Sequence, residues 1–241
     1  MILEVCVDDA AGIAAAVSGG ANRIELCSAL ALGGLSPSAG LIALAAEAPI
    51  PAMAMIRPRA GDFIWSAEER RAMRAEIRAV KAAGLAGVVI GASRPDGRLD
   101  GECLAELMAE AEGLYITLHR AIDLTPDPLA ALALCRDLGI GRVLTSGGAT
   151  SVAEGLERLA LMAKAAPDIT ILPGGGVSEA LLPALLAAIP QLSEVHASCS
   201  APLPAPALPQ IEDFGFQPKS AKGTDAARVR ALRSALDRLR G

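Results

Sequence analysis

The chain has 241 residues, 52% of them apolar and 20% charged, the profile of one soluble globular domain and not of a disordered or fibrous chain. Aromatic residues make up only 2%, and Lys plus Arg number 22 against 27 Asp plus Glu, for a formal net charge of −5. That balance excludes a general polyanion binder and leaves no stacking platform for single-stranded nucleic acid. The opening MILEVCVDD places Glu4, Asp8 and Asp9 where a secretory signal would place lysines and an apolar run, so no export signal is expected. Apolar stretches are broken by charges or prolines, such as Glu47, Pro49, Pro183 and Pro190, before they reach the ~18 residues a membrane span requires. Five cysteines at irregular spacing read as reduced cytoplasmic thiols, not as a disulfide framework.

From the N-terminus onward, short apolar or β-branched runs are each followed by Gly, Pro, Asp or Ser and then by an Ala/Leu-rich helical stretch. The runs are 2–7, 23–27, 52–57, 87–91, 115–119, 142–146, 169–173 and 193–197. Ser66/Glu69 and Ser151/Glu154 read as capping boxes and Asp127-Pro128 as another helix start. Gly19-Gly20, Gly84, Gly113 and Gly139 sit where a left-handed residue would end a helix. Eight such units in a chain near the typical ~250 residues of the fold predict a single (β/α)8 TIM barrel spanning 1–241. A doubly wound open sheet is the alternative, but the first strand-to-helix turn, Val7-Asp8-Asp9-Ala10, lacks the glycine fingerprint of a dinucleotide fold. After the eighth strand come a proline-rich loop, 201–218, and a C-terminal helix, 225–240, whose arginines solvate its outer face.

In a barrel, alternate strand residues point inward and chemistry collects at the C-terminal strand ends. Strand one offers Glu4 and Cys6 on one face, and strand two offers Glu25 and Cys27, so E-x-C occurs at matching places. Strand three ends in Arg57 and Arg59; strand five ends in His119, followed by Arg120 and Asp123; strand eight carries His196. Charged interior layers and small buried cysteines explain such residues singly, but their convergence on one end predicts a functional site. No lysine lies at a strand end, which argues against Schiff-base chemistry. Arg59, Gly174, Gly175 and Gly176 form a candidate anion site. Glu4, Glu25, Arg57, His119, Arg120, Asp123 and His196 are the candidate catalytic residues of a hydrolase- or isomerase-type enzyme acting on a small anionic or phosphorylated substrate. A soft ion is the other option: cysteines on adjacent parallel strands stand about 5 Å apart if in register, close enough for two thiolates to hold Cu(I).

The segments LEVCVDD, GGANRIELCSAL, LGGLSPSAGLI, MIRPRAGDF, GVVIGA, TLHRAID, RVLTSGG and PGGGV closely resemble the CutC copper homeostasis family over nearly the whole chain. The resemblance implies a single-domain cytoplasmic TIM barrel that handles copper, with Cys6 in LEVCV and Cys27 in IELCS as the Cu(I) thiolates. Arg57, His119, Arg120, Asp123 and His196 fall in the other shared motifs. Ile122 stands where the family-like HRAFD has Phe, and Cys199 follows the histidine of VHASCS as a third thiol or a rim residue. The expected partners are copper or a small anionic ligand, in a monomer, homodimer or higher homo-oligomer.

Overall fold

The alternation along the first strand becomes two faces. Leu3, Val5 and Val7 are fully buried in the apolar layer shared with the helices, while Glu4 and Cys6 point into the ring of strands. A computed structural model describes residues 1–239. In it β1 (Ile2–Val7), β2 (Arg23–Leu26), β3 (Ala52–Met55), β4 (Gly87–Ile90), β5 (Tyr115–Leu118), β6 (Arg142–Thr145), β7 (Thr170–Pro173) and β8 (Glu194–Ala197) occupy the eight expected runs. They form one parallel sheet in the order β7-β6-β5-β4-β3-β2-β1-β8, whose end strands β7 and β8 lie against each other and bring the ring round to a nearly closed (β/α)8 TIM barrel.

Helices α1 (Ala10–Gly19), α2 (Ala39–Ala46), α3 (Ala67–Ala82), α4 (Gly101–Glu110), α5 (Pro128–Leu138), α6 (Val152–Ala165) and α7 (Leu182–Ala188) alternate with the strands. Their punctuation is largely as expected. Ser66 and Glu69 close a full capping box on α3, and Asp127 caps α5 with Pro128 in its first turn. At α6 only half the box forms: Ser151 accepts from the Glu154 N–H, but the Glu154 carboxylate turns to the Thr150 hydroxyl at 2.6 Å. The proline-rich segment is not a bare loop. It leaves β8 through β9 (Ser200–Pro202), makes one turn as α8 (Gln210–Asp213) and returns as β10 (Lys222–Thr224), which pairs antiparallel with β9. Asp225 then caps α9 (Ala226–Arg238), which packs on α1; Arg240, the last residue expected in that helix, lies outside the described residues. Among the described residues no helix is long and apolar enough to cross a membrane.

The interior of the ring is apolar on β3, β4 and much of β6 and β7, but its closed end is ionic. Glu4, 0% exposed, pairs with Arg23 Nε at 2.5 Å, and Arg23 Nη2 reaches Glu194 at 2.5 Å. Arg142 completes the set against Glu194 at 3.0 Å. Two carboxylates and two guanidiniums thus neutralise one another where water is excluded, which is the condition under which buried charge is tolerated. Burial alone would raise the Glu4 carboxyl, but the hydrogen bond and charge of His196, together with Arg23, hold it at about 2 against an ordinary 4.5.

Two expectations follow from this plug. Arg23→Met removes the cation that Glu4 and Glu194 share and should cost about 3–5 kcal/mol, read as a lower urea midpoint with an unchanged slope. Because the Glu4 carboxyl is depressed in the fold, its stabilisation is complete above pH 4.5 and is lost as pH falls toward about 2. Urea titrations across that window should show wild-type stability falling with a slope of up to about 1.4 kcal/mol per pH unit from this group, and Glu4→Gln, less stable at neutral pH, should show a shallower fall.

Candidate functional site

At the C-terminal ends of the strands the ring opens into a cavity of about 330 Å³. Cys6, Glu25, Arg57, His119, Arg120 and His196 line it, with the turn of Gly174, Gly175 and Gly176 along one side. Glu4, Cys27, Arg59 and Asp123 are not on its wall.

One half of the cavity is acidic and soft. The ladder sets Glu4 opposite Arg23 and Cys6 opposite Glu25, so the two E-x-C strands are offset and the two cysteines are not in register. On its other side β1 sets Glu4 beside His196. An ionised Glu4 only accepts, so His196 Nδ1 carries the proton and donates it to Glu4 Oε1 at 2.8 Å. The opposite nitrogen, Nε2, then faces Glu25 Oε2 at 3.8 Å. Ligand atoms of Cys6, Glu25 and His196 all lie within 4.8 Å of one another, and all three residues are buried. Burial disfavours a charged ring, yet Glu25 and Cys6 in front and Glu4 behind raise His196 well above the usual imidazole range. Burial raises the Glu25 carboxyl, with His196 opposing.

Cys27 lies just beneath this group. Its thiol donates to Glu25 Oε2 at 3.5 Å and packs among Met53, Met55 and Val89. Burial, with Glu25 beside it, pushes that thiol far above its ordinary range. Cys199 follows β8 with a left-handed φ of 46° and is half-buried, and burial holds its thiol up at about 11.

The other half of the cavity presents donors. His119 caps the short 3₁₀ turn Arg120–Leu124, its Nδ1 accepting from the Ala121 N–H at 3.1 Å. Nε2 therefore carries the proton, and it is buried without a hydrogen-bond partner. Burial first, then the Arg57 charge, lowers this ring to about 3, so it is a neutral donor. Arg57 spends Nη1 on the carbonyls of Leu32 and Gly34 at 2.8 and 3.1 Å and Nη2 on that of Gly61 at 2.9 Å. The Phe63 ring lies against both groups, 4.6 Å from the His119 ring and 5.1 Å from the Arg57 guanidinium carbon. Phe63 and Met55 escaped the sequence reading, although Met55 shares the inward parity of Arg57.

Two glycines make room for the two histidines. A Cβ on Gly91 would stand 2.1 Å from His119 Cε1, and one on Gly174 would stand 2.4 Å from Leu144 Cδ1 and 3.1 Å from His196 Cδ2. Arg120 reaches the rim, held by Asp123 at 2.7 Å and by the Ser146 hydroxyl at 2.6 Å. Asp123 is an anchor under that rim, accepting from Thr145 Oγ1 and from the N–H groups of Ser146 and Gly148. Arg59 faces away: it pairs with Asp62 and Glu69 and stacks on Trp65 at 5.0 Å.

Comparison with known proteins agrees with this architecture. The CutC family profile matches residues 1–201. A protein of Sinorhizobium medicae named as a family protein CutC is 50% identical over 240 residues, covering 99% of this chain and 97% of that one. The copper homeostasis protein cutC homolog of Homo sapiens is 44% identical over 187 residues, 77% of this chain and 68% of that one. The crystal structure of CutC from Streptococcus agalactiae superposes with a TM-score of 0.77 at 26% identity, covering 82% of this chain and 98% of that chain. A thiamine phosphate pyrophosphorylase from Pyrococcus furiosus, 14% identical with a TM-score of 0.60, shares the fold alone. Matched nearly end to end in sequence and in its barrel, this chain belongs to the CutC family.

Proposed function

We propose that the chain is a copper homeostasis protein of the cytoplasm that binds Cu(I) at the mouth of its barrel. The observation that carries this reading is the buried group of Cys6, Glu25 and His196, with ligand atoms within 4.8 Å. A thiolate and an imidazole suit Cu(I), which accepts two or three soft ligands, whereas Mg²⁺ or Ca²⁺ would require an oxygen cage. His196 has the form of a metal-bound histidine, one nitrogen fixed by a carboxylate and the other free to face the ion. Cys27, which shares Glu25 Oε2 with His196, supplies the second sulfur once its thiol loses a proton. All five cysteines are free thiols, as a reducing compartment keeps them.

A second reading is an enzyme of hydrolase or isomerase type on a small anionic substrate, favoured by the Glu4–His196–Cys6 sequence of contacts. A carboxylate that orients an imidazole beside a thiol is the general arrangement of nucleophile, base and orienting acid. In that reading His196 and Glu25 move protons, Glu4 orients, Arg57 with the turn of Gly174, Gly175 and Gly176 faces the anion, and Asp123 positions Arg120.

An anaerobic Cu(I) titration against a competing chelator tests the first reading. One equivalent should bind with release of protons; Cys6→Ser should weaken binding by about a hundredfold and Cys27→Ser by about tenfold. Equal affinity in wild type and both variants would exclude copper as the physiological cargo of this site.

A further inference from the structure

Three residues that line one cavity each bury a polar atom with no hydrogen-bond partner: Arg57 Nε, His119 Nε2 and Glu25 Oε1. Their residues are 6%, 3% and 3% exposed. An unpaired buried polar atom carries a desolvation cost, larger where charge is involved, so three on the residues of one pocket point to a molecule that pairs them.

Charge decides its sign. The outer nitrogens of Arg57 go to three backbone carbonyls, and among the described residues no carboxylate pairs with it. A guanidinium does not lose its proton, so the cavity holds one buried cation awaiting a counter-ion. Arg120, the other arginine on the wall, is already neutralised by Asp123 at 2.7 Å. His119 accepts at Nδ1 and is therefore a neutral ring that donates through Nε2. One uncompensated positive charge with one neutral donor beside it suits a monoanion, a carboxylate, better than a phosphate dianion. Glu25 Oε1, an acceptor, requires a donor on the same molecule, such as a hydroxyl. Leu30, Met55, Phe63 and Leu144 provide an apolar wall for a short carbon skeleton, and about 330 Å³ is at the small end of ligand pockets.

We propose that the cavity binds a small hydroxycarboxylate, its carboxylate held by Arg57 Nε and His119 Nε2 and its hydroxyl donating to Glu25 Oε1. This rests on the second reading, in which the site takes a small anion, and names the class of that anion; it is independent of copper.

The test is calorimetric titration of the metal-free full-length protein with lactate, with propionate as the same acid lacking the hydroxyl, and with inorganic phosphate. Lactate should bind, and propionate about tenfold more weakly because Glu25 stays unpaired. His119→Asn keeps an oxygen to accept the Ala121 N–H but deletes the Nε2 donor, and it should weaken lactate about tenfold. Arg57→Met should abolish binding. Should loosened loops around Leu32 and Gly61 unfold that variant, the His119→Asn result carries the test alone. Lactate no tighter than propionate, or His119→Asn binding lactate as wild type does, overturns the proposal. Phosphate bound in place of lactate overturns the hydroxycarboxylate and spares the anion reading. Wild type that binds none of the three at about 10 mM overturns both.

Discussion

A carboxylate with no exposure at the centre of a barrel constrains everything around it, and Glu4 is that group. Its oxygens are divided between Arg23 at 2.5 Å and His196 at 2.8 Å, so β1 is tied through one side chain to the strand on each side of it. Sliding β2 by a residue so that Ile24 stands opposite Glu4, or β8 so that Val195 or Ala197 does, would exchange a partner of Glu4 for an apolar core residue. The same hydrogen bond that satisfies Glu4 assigns the proton on His196 Nδ1 and thereby presents Nε2 to the cavity. What the mouth of the barrel can do chemically is set by the ionic plug at its closed end.

The two histidines of this chain show how environment, not residue type, assigns a role. Both are buried and both stand at strand ends above the same ring. His196 is backed by one carboxylate and faced by another and by a thiol, which favour its charged form despite burial. His119 is backed by a backbone N–H and faced by a guanidinium, which favour its neutral form and hold it at about 3. One cavity therefore contains a proton-holding side and a proton-donating neutral side. Gly91 and Gly174 are what allow both rings to sit that close to the strands.

The barrel was legible in the sequence because it depends on two short-range signals, alternation within strands and glycine or proline punctuation between them. Parity also led correctly to the inward side of β1, β2 and β8. Register is different, since nothing local distinguishes Cys6 opposite Cys27 from Cys6 opposite Glu25; that choice is made by Arg23, whose charge belongs between Glu4 and Glu194. Parity also stops being a guide where the strand stops. β3 ends at Met55, Arg57 still follows its direction inward, and Arg59 lies in the loop, where Asp62 and Glu69 draw it outward. Asp123 looked catalytic from its neighbours in TLHRAID, yet the backbone of the next strand's loop claims its oxygens. The proline-rich stretch hid a β-ribbon because its pairing partner, Lys222–Thr224, lies beyond the prolines themselves.

The copper and carboxylate readings of the cavity concern different walls and different chemistry, so neither displaces the other. A soft cation belongs with sulfur and imidazole on β1, β2 and β8, where nearby carboxylates lower the cost of positive charge. An organic anion belongs with the guanidinium and the neutral imidazole that follow β3 and β5, where no carboxylate competes. Glu25 stands between these regions: one oxygen faces Cys27 and His196, and the other is unpaired. Any ligand that engages that second oxygen alters the charge felt by the first, and with it the affinity of the thiol and imidazole side for a proton or a metal.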